Sequence, residues 1–205
     1  MKKMITWLTI SALGTFGANA QDGDRIFKRF KGDVSLGYAA PIGSSSNGGV
    51  VFAMEPKFAV MDELSLGLRM EAAVTAKFSG TDIYGDAEVD NAKAFGSYLA
   101  TADYYFTNNY PFRPFIGAGL GVFEVYDDEN TLTEDPVTSV KFGGIVRTGM
   151  EIYHFRLGIE YNFIPTTNIN SYTYDNMGNM ITTKVASKNA YVGIKLGFVF
   201  GGAPR

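Results

Sequence analysis

Charged side chains stand at every second position in several segments of this sequence, between apolar or small neighbours. In an extended strand this spacing puts them all on one face. Arg156 and Glu160, for example, alternate with Leu157, Ile159 and Tyr161. In all such segments together, the face opposite the large apolar residues carries twelve charged residues: Glu55, Lys57, Arg69, Glu71, Lys77, Asp103, Lys141, Arg147, Glu151, Arg156, Glu160 and Lys195.

These seven cations and five anions can act together only if the fold brings the strand faces that carry them into contact. Enclosed charges are costly unless they are paired or hydrogen-bonded. The near balance of signs therefore predicts a network of salt bridges that plugs an interior. The alternative is a gated path for ions.

Residues that could support catalysis or bind a metal are scarce. His154 is the single histidine and the chain has no cysteine. The sequence therefore offers few residues for a Ser-His-acid site or for a metal that activates water. A catalytic site made of carboxylates alone remains an alternative, but we expect no enzyme and no cofactor.

The acidic segments 79–93 and 126–138 could offer oxygen ligands to calcium, yet neither has the EF-hand spacing, and we predict no specific metal site.

The amino terminus has the layout of a secretory signal peptide. Lys2 and Lys3 precede an apolar run that ends near Gly17, and an A-x-A triplet closes at Ala20, where we predict cleavage. Cleavage would lower the formal net charge from -3 to -5, because two lysines and no acid are removed. We expect no binding to nucleic acid.

The rest of the chain consists of short segments in which apolar and polar residues alternate, separated by Gly, Asn, Asp, Ser and Pro. A period of two predicts β-strands. In the last segment, Ile194, Leu196 and Phe198 oppose Gly193 and Lys195. The predicted strands are 32–40, 49–60, 63–78, 94–106, 113–125, 139–152, 155–164 and 187–200.

Alternation alone does not say which face of the sheet points inward. A soluble lipocalin-like carrier would turn the apolar face inward, but the interior of an eight-stranded barrel is only just wide enough for side chains to fill. The large apolar residues on nearly every strand would not all fit there. We therefore predict an all-β, eight-stranded antiparallel up-and-down transmembrane barrel, with apolar side chains toward lipid and small or charged ones in the lumen.

The connections and aromatic residues support this orientation. Short links follow the second, fourth and sixth predicted strands, and longer ones follow the others, as in barrels with periplasmic turns and outer loops. Aromatic side chains bunch at strand ends, which predicts girdles at the two membrane interfaces. The predicted girdles are Tyr104, Phe106, Phe155, Phe198 and Phe200 toward the periplasm, and Tyr98, Phe78 and Phe163 toward the outside.

The longest loop, 165–186, alternates on both sides of a turn at Asp175–Asn179. We predict that it continues the seventh and eighth strands as a hairpin clear of the membrane. Four of its side chains could contact a partner or pack on one another: Tyr172, Tyr174, Met177 and Met180.

The chain resembles the small outer-membrane β-barrels of the OmpA-, OmpX- and OmpW-like group. The segment Arg113-Pro-Phe-Ile-Gly-Ala-Gly-Leu-Gly121 looks like the R-P-[FY]-x-G-x-G-x-G fifth-strand segment of that group. The resemblance implies a Gram-negative outer-membrane location and assembly by the barrel-assembly machinery. In this chain the recognised terminal aromatic would be Phe200, which five further residues follow, and no peptidoglycan-binding domain comes after the barrel.

The predicted division of the chain is a signal peptide at 1–20, a periplasmic segment at 21–31, the outer-membrane barrel at 32–200 and a tail at 201–205. We expect a monomer in contact with outer-membrane lipid and lipopolysaccharide, with a structural role in the envelope and outer loops that meet an extracellular partner. The resemblance to OmpW-like barrels implies the alternative of a narrow conduit for small or apolar molecules. A soluble carrier or a lipid-modifying enzyme is less favoured.

Overall fold

A computed structural model describes residues 28–43, 48–81, 87–107, 111–127, 137–174 and 180–201. Side chains are described within 28–43, 48–75, 93–107, 111–126, 139–167 and 186–201. The predicted signal peptide and the last four residues lie outside these ranges, so the predicted division of the chain stays a prediction. In the described part of the chain no helix is long and apolar enough to cross a membrane.

Ten antiparallel strands make up the described structure. They are β1 (Phe30–Pro41), β2 (Gly49–Ala59), β3 (Leu64–Thr81), β4 (Ala87–Tyr105), β5 (Phe112–Asp127), β6 (Val137–Ile152), β7 (Phe155–Phe163), β8 (Thr167–Tyr174), β9 (Met180–Ser187) and β10 (Tyr191–Gly201). Eight close into a barrel in the order β1-β10-β7-β6-β5-β4-β3-β2, and β8 and β9 form a separate two-stranded sheet. The inner rim is the end where β1 begins and β10 ends, and the outer rim is the opposite end.

The strands tilt strongly around the barrel. If the paired residues are followed once around, from Ala40 on β1 through Val192, Ala118 and Leu66, the path returns to β1 at Phe30, ten residues lower. Strand number and this stagger together fix the width of a barrel. Here they give a narrow lumen that side chains from all eight strands can fill.

Large apolar side chains cover the outside of the barrel. Leu68, Leu120 and Leu196 are each at least 60% exposed, whereas the alternating polar residues point inward and are buried. Such a surface is stable against acyl chains and costly in water. The structure therefore confirms the predicted transmembrane barrel and excludes the lipocalin-like carrier, in which Leu196 would point toward the axis.

All eight predicted barrel strands are present in the predicted order, but two expectations about loops were wrong. Segment 79–93 was predicted as a loop, yet β3 runs to Thr81 and β4 begins at Ala87. The Gly and Asp residues of this segment favour turns. Continued pairing between β3 and β4 instead supplies hydrogen-bond partners to the backbone. The long outer hairpin is present, but it does not continue β7 and β10, since residues 164–166 and 188–190 interrupt the pairing.

The aromatic residues occupy the two ends of the apolar surface. Near the inner rim, Tyr104, Phe106, Phe155, Phe198 and Phe200 are exposed, as predicted, and Phe30 and Phe112 join them. Near the outer rim, Tyr98 and Phe163 are exposed, and Tyr38 and Phe142 lie at similar positions. The side chain of Phe78 lies outside the described set. Aromatic rings at these two levels suit the interfaces between acyl chains and headgroups.

Gly117 on β5 is required by the lumen side chains beside it. A Cβ at this position would collide with the Asp103 carboxylate and the Ala102 carbonyl, and it would lie 3.1 Å from Arg147 Nε. We expect Gly117→Ala to destabilise the barrel by about 1–3 kcal/mol through overpacking, measured by urea unfolding in lipid vesicles. Gly32→Ala is the matched control, because a Cβ there meets nothing within 4 Å. Equal stability of the two variants would contradict the prediction.

Candidate functional site in the barrel lumen

Ten of the twelve predicted lumen charges lie inside the barrel. Each is at most 6% exposed: Glu55, Lys57, Arg69, Glu71, Asp103, Arg147, Glu151, Arg156, Glu160 and Lys195. Lys141 is half-buried near the outer rim and forms no ion pair with any residue whose side chain is described. The side chain of Lys77 lies outside the described set. These ten buried charges lie mainly in the half of the barrel next to the inner rim, whereas Lys93, which the sequence interpretation missed, is buried near the outer rim.

Eight residues form an inner ion cluster: Lys31, Asp33, Glu55, Lys57, Asp103, Arg147, Glu151 and Arg156. Arg147 donates to both carboxylate oxygens of Glu55 at 2.7 and 2.6 Å, a bidentate geometry that strengthens the pair. Asp103 is at the centre, with Lys57 at 2.9 Å, Arg147 at 2.8 Å and Arg156 at 2.9 Å. Four cations meet four anions, so the cluster is neutral.

Four residues form an outer ion cluster directly above the inner one. Arg69 pairs with Glu71 and Glu160, and its Nη1 donates to Glu160 Oε2 at 2.7 Å. Lys195 pairs with the same two carboxylates. The Tyr191 hydroxyl also donates to Glu71. Two cations meet two anions, so this cluster is neutral as well.

Several residues of these clusters were missed in the sequence. Lys31 lay outside the predicted first strand, which began at residue 32. Asp33 has the correct parity on that strand, so alternation alone could have found it. Tyr105 and Tyr191 also share the lumen parity, and each hydroxyl donates to a cluster carboxylate.

At the inner rim, two cations lie against the aromatic ring of Tyr105. Lys31 Nζ lies 4.5 Å from the centroid of the Tyr105 ring, and the Arg113 guanidinium lies 4.2 Å from it. Arg113 also donates to the carbonyl of Asp62 at 2.5 Å, which ties the end of the lumen to the β2–β3 turn. A desolvated cation over an aromatic face is stabilised electrostatically, so this layer is stable at the inner end of the lumen, where Lys31 joins it to the inner ion cluster.

The half of the lumen next to the outer rim is mainly apolar, which the sequence interpretation did not anticipate, although Lys93 is buried there and donates to Ser187 Oγ. This apolar layer consists of Ala39, Val51, Ala73, Phe95, Leu99, Phe123, Val125, Ile145, Ile164 and Tyr191. The expectation that only small or charged side chains fill the lumen was therefore wrong. Phe95 and Tyr191 pack with ring centroids 5.4 Å apart. These residues are on the same lumen-facing side of the strands as the charged ones but lie closer to the outer rim. Alternation in the sequence gives the side of a strand that a residue occupies and not its position along the barrel axis.

Asn162 lies within the apolar layer and is fully buried, beside Tyr191 and Ile145. Neither atom of its amide has a hydrogen-bond partner among the described residues. A buried polar group without a partner carries its full desolvation cost. We expect Asn162→Leu to raise the free energy of unfolding by about 1–3 kcal/mol, measured by urea unfolding in vesicles. A loss of stability would show that the amide is hydrogen-bonded in the folded barrel.

The predicted loop contacts lie on the outer hairpin. Tyr172 and Tyr174 are on β8, opposite Thr182 and Met180 of β9. Their side chains lie outside the described set, and Met177 lies outside the described residues. At the base of the hairpin, Asn189 Nδ2 donates to Pro165 O at 2.7 Å and to Thr167 Oγ1 at 3.0 Å, which joins the two linkers to each other. This base is fastened to the barrel because Thr167 Oγ1 lies 3.4 Å from Ser139 Oγ on β6 and Lys93 Nζ on β4 donates to Ser187 Oγ.

His154 is far from the outer loops, in the two-residue turn between β6 and β7 at the inner rim. Its Nδ1 lies 2.9 Å from the carbonyl oxygen of Val199. The preceding residue, Tyr153, adopts a positive φ of 55°. Within the described part of the chain, no group of three acidic, His or Cys residues could hold a metal ion. His154 therefore helps to fasten the end of β10.

Comparisons with known proteins show a similarity in fold. No protein-family model matches the chain, and no curated protein matches it by sequence. Among solved structures, Neisserial surface protein A is similar, with 17% identity, a TM-score of 0.54 and coverage of 84% of this chain and 95% of that one. The outer membrane protein OprG from Pseudomonas aeruginosa is similar, with 12% identity, a TM-score of 0.53 and coverage of 86% and 98%. By its fold and its apolar outer surface, the chain is a small eight-stranded transmembrane β-barrel, with the fold that these two outer-membrane proteins share.

Proposed function

We propose that the chain is a sealed barrel that contributes to the integrity of the outer membrane and presents its outer hairpin to an extracellular partner. The observation that carries this proposal is the filling of the lumen at successive levels. The cation–aromatic stack, the inner ion cluster, the outer ion cluster and the apolar layer follow one another from the inner rim outward.

A hydrated ion would have to displace each of these layers in turn. Passing Asp103 requires parting three ion pairs that are buried from water, and an uncompensated buried charge is costly. Passing Phe95, Leu99 and Phe123 requires the ion to shed water beside apolar side chains. The alternative of a narrow conduit needs both regions to open, and the described lumen offers no observation that favours it.

The outer hairpin supports a role at the cell surface. β8 and β9 pair over eight residues each, a length of about 27 Å at the usual rise per residue. This sheet shares no strand with the barrel, while Thr167 and Asn189 at its base are buried. A fixed base below an extended ribbon presents a defined surface, which is how loops on rigid scaffolds usually bind partners.

Conductance across planar bilayers tests the seal. We expect no steady conductance from the purified protein. A variant with Glu55→Ser, Arg147→Ser, Leu99→Ser and Phe123→Ser removes side chains from the inner ion cluster and from the apolar layer without changing the net charge. We expect it to conduct, which shows that the assay detects an opened lumen. A large, steady conductance from the unaltered protein would exclude the sealed barrel.

A further inference from the structure

The inner and outer ion clusters lie at adjacent levels of the lumen, but no ion pair between described residues joins them. Every ion pair that the described cluster residues form connects members of the same cluster: Asp33 pairs with Lys57 and Glu55 with Arg147 in the inner one, and Arg69 pairs with Glu160 in the outer one. Each cluster is also neutral by itself. The inner and outer ion clusters are therefore two units with separate ion pairs.

A small cavity lies between the two units. Its volume is about 20 Å³, and a cavity needs roughly 10–15 Å³ of such volume to hold one water. Its wall takes residues from both clusters, with the backbone of Gly158 on one side: Asp33, Glu55, Arg147 and Arg156 from the inner cluster, and Arg69, Glu160 and Lys195 from the outer one. The cavity fits one water molecule and no organic ligand.

Two polar atoms in residues of this wall have no partner among the described residues, Asp33 Oδ1 and Arg69 Nε. Both side chains are at least 95% buried. The first atom is an acceptor and the second is a donor. A carboxylate oxygen in the wall disfavours an anion, and a guanidinium disfavours a cation. A neutral molecule that both donates and accepts satisfies both atoms.

We propose that this cavity is a binding site for one structural water, which accepts from Arg69 Nε and donates to Asp33 Oδ1. The water joins the two neutral clusters into one hydrogen-bonded network through the lower half of the lumen. This inference deepens the proposed seal and depends on it, because a lumen open to solvent would have no isolated water. It goes beyond the seal by assigning a ligand to a specific pair of atoms.

Water-exchange NMR of the protein in nanodiscs tests the site. We expect a cross-peak between the Arg69 Nε proton and a water with a residence time longer than that of surface water. Gly158→Ala adds a methyl group to the wall, at 3.6 Å from the Thr148 carbonyl oxygen and 3.8 Å from Phe115, which are ordinary contacts. We expect the cross-peak to be lost in this variant and retained in Gly32→Ala, whose new methyl group lies outside the lumen.

A high-resolution crystal structure of the unaltered protein gives a test that does not depend on any variant. We expect ordered density within about 3.2 Å of both Asp33 Oδ1 and Arg69 Nε. A resolved Arg69 Nε proton without a water cross-peak, or well-ordered side chains without density between them, would overturn the site. Either result can occur while planar bilayers show no conductance, so failure of the water site is distinguishable from failure of the seal.

Discussion

Asp103→Ala is expected to destabilise the folded barrel by about 3–5 kcal/mol, the usual cost of removing one partner from a buried ion pair. Asp103 is 1% exposed and lies within 3 Å of Lys57, Arg147 and Arg156. Without its carboxylate the inner ion cluster has four cations and three anions, and the excess charge is buried away from bulk solvent. Equilibrium unfolding in urea, with the protein in lipid vesicles, measures the loss.

A balanced pair of substitutions in the outer ion cluster is the control for Asp103→Ala. Lys195→Met together with Glu71→Gln removes one charge of each sign and leaves Arg69 paired with Glu160. Replacing a buried ion pair by uncharged side chains of similar volume is often close to neutral. We therefore expect this double variant to lose far less stability than Asp103→Ala. Equal losses would mean that packing volume, and not charge balance, makes the plug stable.

Leu196→Arg is expected to cost about 2–4 kcal/mol, because it places a charge on the lipid-facing surface near the middle of the membrane. Leu196 lies midway along β10 and is 60% exposed on the outside of the barrel. The guanidinium would have to reach an interface or draw water into the acyl region. Urea unfolding in vesicles again measures the change.

Ile152→Arg is the matched control for depth. Ile152 is also exposed on the outside but is the last residue of β6, at the inner rim. Near an interface the cost of such a charge falls to about 0–1 kcal/mol. Similar costs at the two positions would contradict the placement of Leu196 within the acyl chains.

Alternation in the sequence determined the strands and their faces. Leu196 and Lys195 are neighbours with opposite chemistry, and the backbone of a strand sends neighbours to opposite faces whatever the rest of the fold does. The same local rule placed Arg69, Asp103 and Glu160 on the faces of their strands opposite the large apolar residues. The limited volume of a narrow barrel then indicated which face points inward. The outward apolar surface and the buried charges could therefore be predicted.

Only the tertiary structure decided which charges meet and at what level. Arg69 and Glu160 are 91 residues apart in sequence, and their contact depends on closure of the barrel and on a stagger of ten residues summed over all eight strand pairs. The division into two neutral clusters, and the apolar layer around Phe123 above them, follow from that stagger. Parity is a local property of one strand, whereas level in the lumen is a property of the closed sheet, and for that reason the sequence alone could not supply it.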